Sequence, residues 1–531
     1  MAQRFRVAMV SAEAVPFAKI GGLADVVGAL SRSVAELGAA VAVFLPRYAA
    51  LSLPKGTDLE LAAQVEVPVR GETATGLVYR LRDPGALPHL GTYFIAHDRY
   101  FGRPGIYDDP KTGEAYTDNA ERFSFFSRAA LEAMRALAFA PEVIHVHDHQ
   151  TALIPAYLRL FHEEDPFFQM TATVLSIHNM GYQGVYDAPA MAAAGFPQDL
   201  FYPLSPFEFW GKMNFLKAGI QFADVITTVS ERYAEEIQSG EEFGFGLQGA
   251  LNSRRVDLVG ILNGIDVRLW NPRTDRLIGA RYDAESLEAK ALCKAALLSE
   301  GRLPAVPEEP LFGMITRLAD QKGLDLIEAA ADRLFALPAR WVVLGSGQKR
   351  YEELLERLAR EHPDRLAYRR AFDEPLAHRI EAGADFFLMP SRYEPCGLNQ
   401  MMSMRYGTVP VVRETGGLAD TVTPWDTGRA GSGGGSVHAA AGEEAAPPTG
   451  ILFREYSGDA LVGAVERAIA LYGDRRALHQ VRRNGMARDF SWQASARKYV
   501  QLYRQANAAR RMGTGFNRWL ESVQGERTAR P

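Results

Sequence analysis

The sequence predicts an α/β protein built from two doubly wound, Rossmann-like domains. Short runs of β-branched and other apolar residues alternate with helical patterns, and glycine-bearing loops come directly after several of the runs. A length of 531 residues suits two large domains or about three to four of ordinary size. The composition, 47% hydrophobic and 23% charged, excludes a chain that is disordered or collagen-like throughout.

The first half opens with the apolar run 6–11, which is followed by a glycine-bearing loop and an amphipathic helical pattern over 23–37. Further short apolar runs lie at 41–45, 143–146, 173–177, 225–229 and 259–262. Strands of a parallel sheet are covered on both faces and are therefore apolar throughout, so this series predicts βαβ units. We expect a first domain over residues 1–266.

A second series of the same kind follows. A helical pattern over 284–299 precedes apolar runs at 311–316, 341–344, 386–389 and 409–412, which predict a second doubly wound sheet over residues 267–490. The stretch 427–448 consists largely of Gly, Ser, Ala, Glu and Pro. Such a composition offers too little apolar surface to fold, so we expect a mobile surface loop there.

Charge and cysteine content narrow the class of protein. The 59 Lys and Arg against 64 Asp and Glu give a net charge of −5, so a nucleic-acid partner is not expected. The two cysteines, Cys293 and Cys396, form neither a disulfide framework nor a four-cysteine zinc site, and a cytoplasmic location is expected. Every apolar run is shorter than the roughly 20 residues that cross a bilayer, so no membrane association is expected.

A loop with lysine and paired glycines lies between the first predicted strand and the first predicted helix. Lys19, Gly21 and Gly22 stand where ligands meet the carboxyl edge of a parallel sheet. Glycines let a backbone approach an anion, the helix start offers unpaired N–H groups, and Lys19 adds a full charge. The alternative is a plain turn with a solvated lysine.

Two histidine-bearing segments also follow predicted strands. In the segment 145–150, three histidines lie within five residues, but no third-ligand spacing accompanies them, so a polar strand end with Asp148 accepting hydrogen bonds is favoured over a metal site. The second segment, 178–184, holds His178 and Asn179 and should project at the same edge. A core histidine bonded to the backbone is the alternative for His178.

Two further segments belong to the second predicted sheet. Arg317 and Lys322 follow a strand a short loop apart, and together they can neutralise a diphosphate, although a solvated loop of mixed charge is the alternative. Glu394 follows another strand, and Gly397 and Leu398 can offer backbone N–H groups at the helix start behind it. A packed thiol is the expected role of Cys396.

In order and spacing, these segments resemble the family of bacterial glycogen synthases and plant starch synthases. The resemblance covers nearly the whole chain and rests on KIGGLADVVGAL, HVHDHQTAL, HNMGYQG, ITRLADQKGLDL, PSRYEPCGLNQ and DFSWQ. It implies the GT-B architecture, in which two Rossmann-like domains face a central cleft. It also implies that a helix over 491–510 returns to the first domain, ahead of a tail over 511–531.

The resemblance implies transfer of glucose from ADP-glucose to the non-reducing-end 4-hydroxyl of an α-1,4-glucan such as glycogen, with retained anomeric configuration and without a metal or other cofactor. Catalytic roles are implied for Glu394, Arg317, Lys322 and His178. Donor binding is implied for Lys19, Gly21, Gly22, Asn263, Phe372, Cys396, Gly397 and Leu398. The acceptor side of the cleft is implied for Asp148, Asn179 and Gln183.

This sequence departs from the family pattern in two places that bear on ligands. Many members read H-D-W-H where this chain has His147, Asp148, His149 and Gln150, which puts acceptor handling in question. Phe372 stands at a common tyrosine position near the adenine, where a ring face is kept and a hydroxyl is lost.

Other functions remain open from sequence alone. The alternatives are a related GT-B glycosyltransferase that uses UDP-glucose or another acceptor, and a catalytically idle glucan-binding protein. The cationic pair of Arg317 and Lys322 argues against the idle protein, because a neutral glucan needs no such pair. An NAD-dependent oxidoreductase is disfavoured because the G-x-G-x-x-G fingerprint is missing.

Overall fold

The structure, a computed structural model, describes residues 4–425 and 446–513. The chain forms two compact units, one that runs to Asn263 and resumes at Trp492, and one from Gly264 to Ser491. Most of the loop predicted over 427–448 lies outside the described residues, as does the predicted tail from residue 514 on.

The strands of the first unit follow the predicted series and add to it. They are β1 (Arg6–Val10), β2 (Ala40–Pro46), β3 (Asp58–Val69), β4 (Glu72–Arg82), β5 (Leu90–Ala96), β6 (Val143–His147), β7 (Ala172–Ile177), β8 (Val185–Asp187), β9 (Glu208–Phe209), β10 (Lys212–Asn214), β11 (Val225–Thr228) and β12 (Leu258–Gly260). Each predicted strand of this half is present, and its ends differ by one or two residues at most. The hairpin of β3 and β4 was not predicted.

Two sheets result. The large one has the order β12-β11-β7-β6-β1-β2-β5-β4-β3, in which β4 pairs antiparallel with both β3 and β5 and all other neighbouring strands pair in parallel. The small one has the order β8-β10-β9 and is antiparallel. The helices before residue 264 are α1 (Gly22–Glu36), α2 (Asp98–Phe101), α3 (Asn119–Ala136), α4 (Asp148–Thr151), α5 (Ile154–Phe161), α6 (Ala190–Ala194), α7 (Phe215–Phe222), α8 (Glu231–Ser239), α9 (Glu241–Gly244) and α10 (Gln248–Asn252).

The second unit holds one parallel sheet. Its strands are β13 (Leu311–Ile315), β14 (Arg340–Leu344), β15 (Leu366–Arg369), β16 (Phe386–Met389), β17 (Val409–Arg413) and β18 (Ile451–Phe453), in the order β15-β14-β13-β16-β17-β18. Its helices are α11 (Lys290–Glu300), α12 (Leu324–Ala336), α13 (Lys349–Glu361), α14 (Glu374–Gly383), α15 (Asn399–Arg405), α16 (Gly416–Thr421), α17 (Gly458–Gly473) and α18 (Arg475–Met486). Phe312 stacks on Trp341 and Phe386 in its core.

The helix predicted over 284–299 is wrong in its first turn. The carboxylate of Asp283 accepts the backbone N–H groups of Glu285 and Ser286, which holds the chain in a local turn and delays α11 to Lys290. The last helix, α19 (Trp492–Arg511), belongs to the first unit, where Tyr499 and Tyr503 pack in its core.

Candidate active site

The strand order of each unit defines one ligand-binding edge. In the second unit, β13 and β16 are neighbours in the sheet. The strands that follow β13 in sequence, β14 and β15, extend the sheet to one side, whereas β17 and β18, which follow β16, extend it to the other. Ligands of open α/β sheets bind at the carboxyl ends of the strands at such a switch point. The loop 316–323 follows β13 and the loop 390–398 follows β16, so both predicted segments lie at this edge.

The two loops are joined by a short ion pair. Lys322 Nζ donates to Glu394 Oε2 at 2.6 Å, and Ser391 Oγ donates to the same oxygen at 2.9 Å. The Glu394 carboxylate is buried, while the Lys322 side chain keeps 21% of its surface exposed. Among the described residues, Glu394 Oε1 accepts no hydrogen bond. One carboxylate oxygen therefore holds the lysine and the other is available to a ligand.

Backbone geometry fixes this pair. Gly323 has φ +73°, and a Cβ there would lie 2.0 Å from the carbonyl oxygen of Pro390. Gly416 has φ +44°, and a Cβ there would lie 2.0 Å from the carbonyl oxygen of Glu394. The loops approach more closely than any side chain at these two positions allows, so glycine is required at both.

The other predicted residues of this unit surround the pair. Arg317 is exposed directly after β13, and the ring of Phe372, which follows β15, is 86% exposed. Cys396 is buried, as a packed thiol was expected to be. Gly397 has φ +68° and, with Leu398, leads into α15. The structure thus gathers the segments of the second half at one sheet edge.

The first unit has a switch point of the same kind. Strands β2 and β6 flank β1, so the loops after β1 and β6 meet at one edge, and these loops carry Lys19 and Asp148. Lys19 Nζ contacts Asp25 Oδ1 at 2.8 Å. A Cβ at Gly21 or at Gly22 would meet nothing within 4 Å, so open space lies beside both glycines.

A residue not identified from the sequence holds the glycine loop. The buried carboxylate of Glu13 accepts the N–H groups of Ile20 and Gly21 through Oε2, and the hydroxyl of Tyr107 donates to its Oε1 at 2.6 Å. These N–H groups are therefore already paired in this structure. A charged residue right after an apolar strand was the available signal, whereas Tyr107 lies 94 positions away and leaves none.

The histidine segments form one buried cluster. His147 Nδ1 and His178 Nε2 lie 3.1 Å apart, and Asp148 Oδ1 accepts the backbone N–H of His178 at 2.7 Å. Burial lowers the pKa of His178 to about 3 and that of His147 well below its usual range. Both rings are therefore neutral near pH 7, and one ring donates to the other.

Asp148 stands out in this cluster. Burial, aided by the neighbouring charge of Glu13, raises the pKa of its carboxyl to about 7, against the hydrogen bonds from the backbone of His178 and Asn179. Its φ of 52° is uncommon for a residue other than glycine. The positive φ directly after β6 and the raised pKa together mark Asp148 as a candidate functional residue.

The remaining predicted residues of this unit differ in what their side chains contact. Asn179 Oδ1 accepts the N–H of Gly181 at 2.9 Å. Both ends of the Gln183 amide are bonded within the protein, since Nε2 donates to the carbonyls of Met180 and Phe245 and Oε1 accepts from Asn214. Asn263 is buried, and its Oδ1 has no partner among the residues that the structure describes.

The described part of the chain contains neither a metal-binding cluster nor a candidate membrane span. Within 4–425 and 446–513, no three His, Cys, Asp or Glu side chains cluster in a way that could hold a metal ion. His145, the first of the three histidines, instead contacts the Tyr503 hydroxyl and Ser176 Oγ, each at 2.7 Å. No helix in the same ranges is long and apolar enough to span a bilayer.

Comparison with known proteins agrees with this geometry. Residues 6–253 match the family model described as the starch synthase catalytic domain, and residues 299–485 match glycosyl transferases group 1. A glycogen synthase from Koribacter versatilis is 46% identical over 513 residues, which cover 95% of this chain and 99% of that protein. The chain belongs to the glycogen and starch synthase family. A glycogen synthase from Anaeromyxobacter sp. strain Fw109-5 is 47% identical, over 94% of this chain and 99% of its own.

Solved structures support the same conclusion. The catalytic domain of starch synthase IV from Arabidopsis thaliana, bound to ADP and acarbose, has a TM-score of 0.83 and 32% identity, with 95% of this chain and 100% of that chain covered. A sucrose-phosphate synthase from Thermosynechococcus elongatus, at 20% identity and a TM-score of 0.57 over 95% and 100% of the two chains, shows the shared fold. The expected family, the two Rossmann-like domains and the glycogen synthase function are confirmed.

Proposed function

We propose that this enzyme transfers glucose from ADP-glucose to the 4-hydroxyl at the non-reducing end of an α-1,4-glucan, with retained configuration at the anomeric carbon. One observation carries the proposal: Lys322 and the buried Glu394 and Ser391 form a hydrogen-bonded cluster at the switch point of the second unit, and Arg317 is exposed at the same edge. A relative bound to ADP supports the adenine nucleotide.

The charges of this cluster fit the leaving group. As the bond from the anomeric carbon to the diphosphate oxygen breaks, negative charge grows on the diphosphate. Arg317 offers a planar fork of donors and Lys322 a compact charge, which together stabilise the departing ADP without a metal. Lys19, Gly21 and Gly22 are assigned to the donor as well, as are Asn263 and the segment from Cys396 to Leu398.

Glu394 is assigned to the donor glucose. Its Oε2 is held by Lys322 and Ser391, whereas Oε1 accepts no bond from the described residues and can accept one from a sugar hydroxyl. The same carboxylate keeps Lys322 in place. Removal of Glu394 should therefore disturb both the sugar and the diphosphate contacts.

His178 is assigned to the region beside the anomeric carbon. The donor glucose ring gains positive charge in the transition state, and a charged imidazole beside it would repel that charge. Burial keeps His178 neutral near pH 7 because it lowers the pKa to about 3. A neutral ring nitrogen, or the backbone that Asp148 holds, presents a dipole without this repulsion.

The acceptor is assigned to Asp148 and Asn179. The transfer forms a bond from the acceptor 4-oxygen to the anomeric carbon, and the hydroxyl proton leaves with the diphosphate. Gln183 is assigned a supporting role, because its amide is engaged at both ends within the protein. We also propose a cytoplasmic location, since Cys293 and Cys396 are free thiols buried in the fold.

The test compares incorporation of labelled glucose into glycogen from ADP-glucose and from UDP-glucose, in the presence of EDTA. We expect ADP-glucose to be preferred and Phe372→Ala to raise the KM for ADP-glucose, because the exposed ring is assigned to the adenine. Leu292→Ala is the matched control, an apolar side chain that is 62% exposed in α11 of the same unit. Equal turnover of both donors, or activity that EDTA abolishes, would contradict the proposal.

A further inference from the structure

Exposed apolar side chains cluster around the small sheet of the first unit. Trp210 is 85% exposed, and Tyr182, Val185 and Tyr202 expose between 40% and 55% of their surfaces. Contiguous exposed apolar surface on a folded domain commonly marks a place where something binds. Trp210 in particular leaves in contact with solvent most of the large apolar area that a tryptophan side chain normally buries.

The backbone at Trp210 is unfavourable for a tryptophan. Trp210 and Gly211 form the two-residue turn between β9 and β10, and their φ angles are +53° and +77°. Two-residue hairpins with positive φ at both positions favour asparagine followed by glycine. A bulky residue in this region is an outlier that local turn preference does not explain, and such strain is concentrated where proteins bind ligands.

Internal hydrogen bonds hold this turn rigidly. The carboxylate of Glu208 accepts the N–H of Gly211 at 2.7 Å through Oε1 and the N–H of Leu204 at 2.9 Å through Oε2. Lys217 Nζ donates to the carbonyl oxygens of Ser205, at 2.8 Å, and of Glu208, at 2.5 Å. The indole is therefore presented to solvent from a fixed base.

A groove lies beside the turn. Its volume is about 420 Å³, and it is lined by His149, Gly181, Tyr182, Gln183, Gly184, Val185 and Phe245. A Cβ at Gly246 would lie 2.8 Å from the Phe209 ring and 3.9 Å from Trp210 Nε1, so the segment that lines the groove packs against the tryptophan turn. We call the groove together with Trp210 the hairpin groove.

We propose that the hairpin groove binds an inner stretch of the α-1,4-glucan acceptor, several glucose units away from the 4-hydroxyl that reacts, so that long chains and glycogen are held more tightly than short ones. The inference rests on the proposed function for the identity of the ligand. Tyr182 and Trp210 supply ring faces, and the apolar C–H faces of glucose units stack on them.

The groove is suited to a neutral, hydroxyl-rich polymer. Glu208 is already occupied by two backbone N–H groups, and Lys212 is paired with Asp187 at 3.2 Å. Burial lowers the pKa of His149 to about 4, so its ring is neutral near pH 7. Amphipathic aromatic rings with few net charges match a glucan better than they match a nucleotide or an acidic peptide.

The groove is also continuous with the acceptor segment. Asn179, assigned to the acceptor, lies three residues before Tyr182, and Gln183 fixes this loop by donating to the carbonyl of Phe245 at 3.0 Å. Gly184 is needed there as well, because a Cβ would lie 2.6 Å from the His149 ring. The loop that carries the acceptor residues thus forms the floor of the hairpin groove.

The first test measures glucan binding without any donor, by retardation of the full chain in native gels that contain glycogen. Trp210→Asn is the main variant, because asparagine suits the turn and should leave the unfolding midpoint equal or higher. We expect its dissociation constant for glycogen to rise about 5- to 30-fold, which corresponds to about 1–2 kcal/mol. Trp210→Phe should restore part of the affinity because it keeps a ring face.

The second test separates chain lengths in the transfer assay. We expect Trp210→Asn and Tyr182→Ala to raise the KM for glycogen about 5-fold or more and the KM for maltotriose less than about 2-fold. The KM for ADP-glucose should stay within about 2-fold of the wild-type value. Leu61→Ala is the matched control, since Leu61 is an apolar side chain on β3 that is 55% exposed.

The outcomes separate this inference from the proposed function. Unchanged glycogen binding by Trp210→Asn, or an equal loss with maltotriose and glycogen, would overturn the hairpin groove even if transfer from ADP-glucose is normal. Trp210-dependent glycogen binding in a wild-type protein that transfers no glucose would support the groove and overturn the proposed function. A wild-type dimer that Trp210→Asn converts to monomers, with glycogen binding unchanged, would assign the surface to a second copy of this chain instead.

Discussion

The contact between Lys322 and Glu394 yields the sharpest prediction. The two charges lie 2.6 Å apart, and their side chains are 21% and 7% exposed. Removal of one partner of a fully buried pair costs about 3–5 kcal/mol, because the other charge is left uncompensated. Lys322 keeps some contact with water, so we expect Glu394→Gln and Lys322→Met each to lower the free energy of unfolding by about 1–3 kcal/mol.

The expected effect on catalysis is larger than that on stability. Loss of one group that stabilises developing charge typically lowers kcat about 10²- to 10³-fold, or about 3–4 kcal/mol. Both variants should show this loss in the ADP-glucose assay under conditions where they are fully folded. If Lys322 and Glu394 act as one unit, the double variant should be no worse than the poorer single variant, because coupled residues are not additive.

A matched pair in the same unit provides the control. Lys294 Nζ contacts Asp385 Oδ2 at 2.7 Å, with exposures of 15% and 7%, and Asp385 is also bonded by Arg482. Lys294→Met should therefore lose stability to a similar or smaller extent and retain kcat. An activity loss in Lys294→Met as large as that in Lys322→Met would refute the catalytic role of Lys322, as would a kcat of Lys322→Met within about threefold of the wild type.

Three further predictions concern single residues. The pKa of Asp148 is raised to about 7 by burial, so between about pH 4 and 7 the folded state binds a proton that the unfolded state does not, and stability falls as pH rises. This group alone should lower the free energy of unfolding by up to about 4 kcal/mol across that range, and Asp148→Asn should remove this loss, as urea denaturation at each pH can measure. An unchanged pH dependence in Asp148→Asn would contradict the shift. Glu13→Gln should speed amide exchange of the loop 19–22 about fivefold by removing a charge-assisted acceptor, as hydrogen-exchange mass spectrometry can check. Gly323→Ala should cost more than about 2 kcal/mol because its Cβ would lie 2.0 Å from a carbonyl oxygen, whereas Gly473→Ala, with open space around it, should cost nothing measurable.

Much of the fold could be predicted because its signals are local. The runs that became β1, β13 and β16 are continuous in sequence, and in a parallel sheet the residues after such runs lie at one edge wherever the strands are placed. Lys322 and Glu394 were each predicted to follow a strand of the second sheet. Their direct contact at 2.6 Å shows that the two loops meet.

What could not be predicted depends on contacts between distant residues. The pairing of Glu13 with Tyr107 joins two segments that share no periodicity or motif. The antiparallel hairpin of β3 and β4 was missed because its strands alternate apolar and polar residues, a weaker signal than an uninterrupted apolar run. Gln183 was expected at the acceptor from resemblance alone, and its three internal hydrogen bonds depend on positions as far away as Phe245.

The two switch points differ in charge, and this difference argues for a division of labour. The edge of the second unit presents Arg317 and Lys322, which suit a diphosphate that gains negative charge. At the edge of the first unit, burial keeps His147 and His178 neutral and favours the protonated form of Asp148 below about pH 7. Lys19 at this edge is paired with Asp25, and the neutral groups beside it cost little to expose to sugar hydroxyls and do not repel an anomeric carbon that gains positive charge. Under the proposed function, the same sheet topology therefore serves two chemically different ligands, because burial sets the protonation state of its loops.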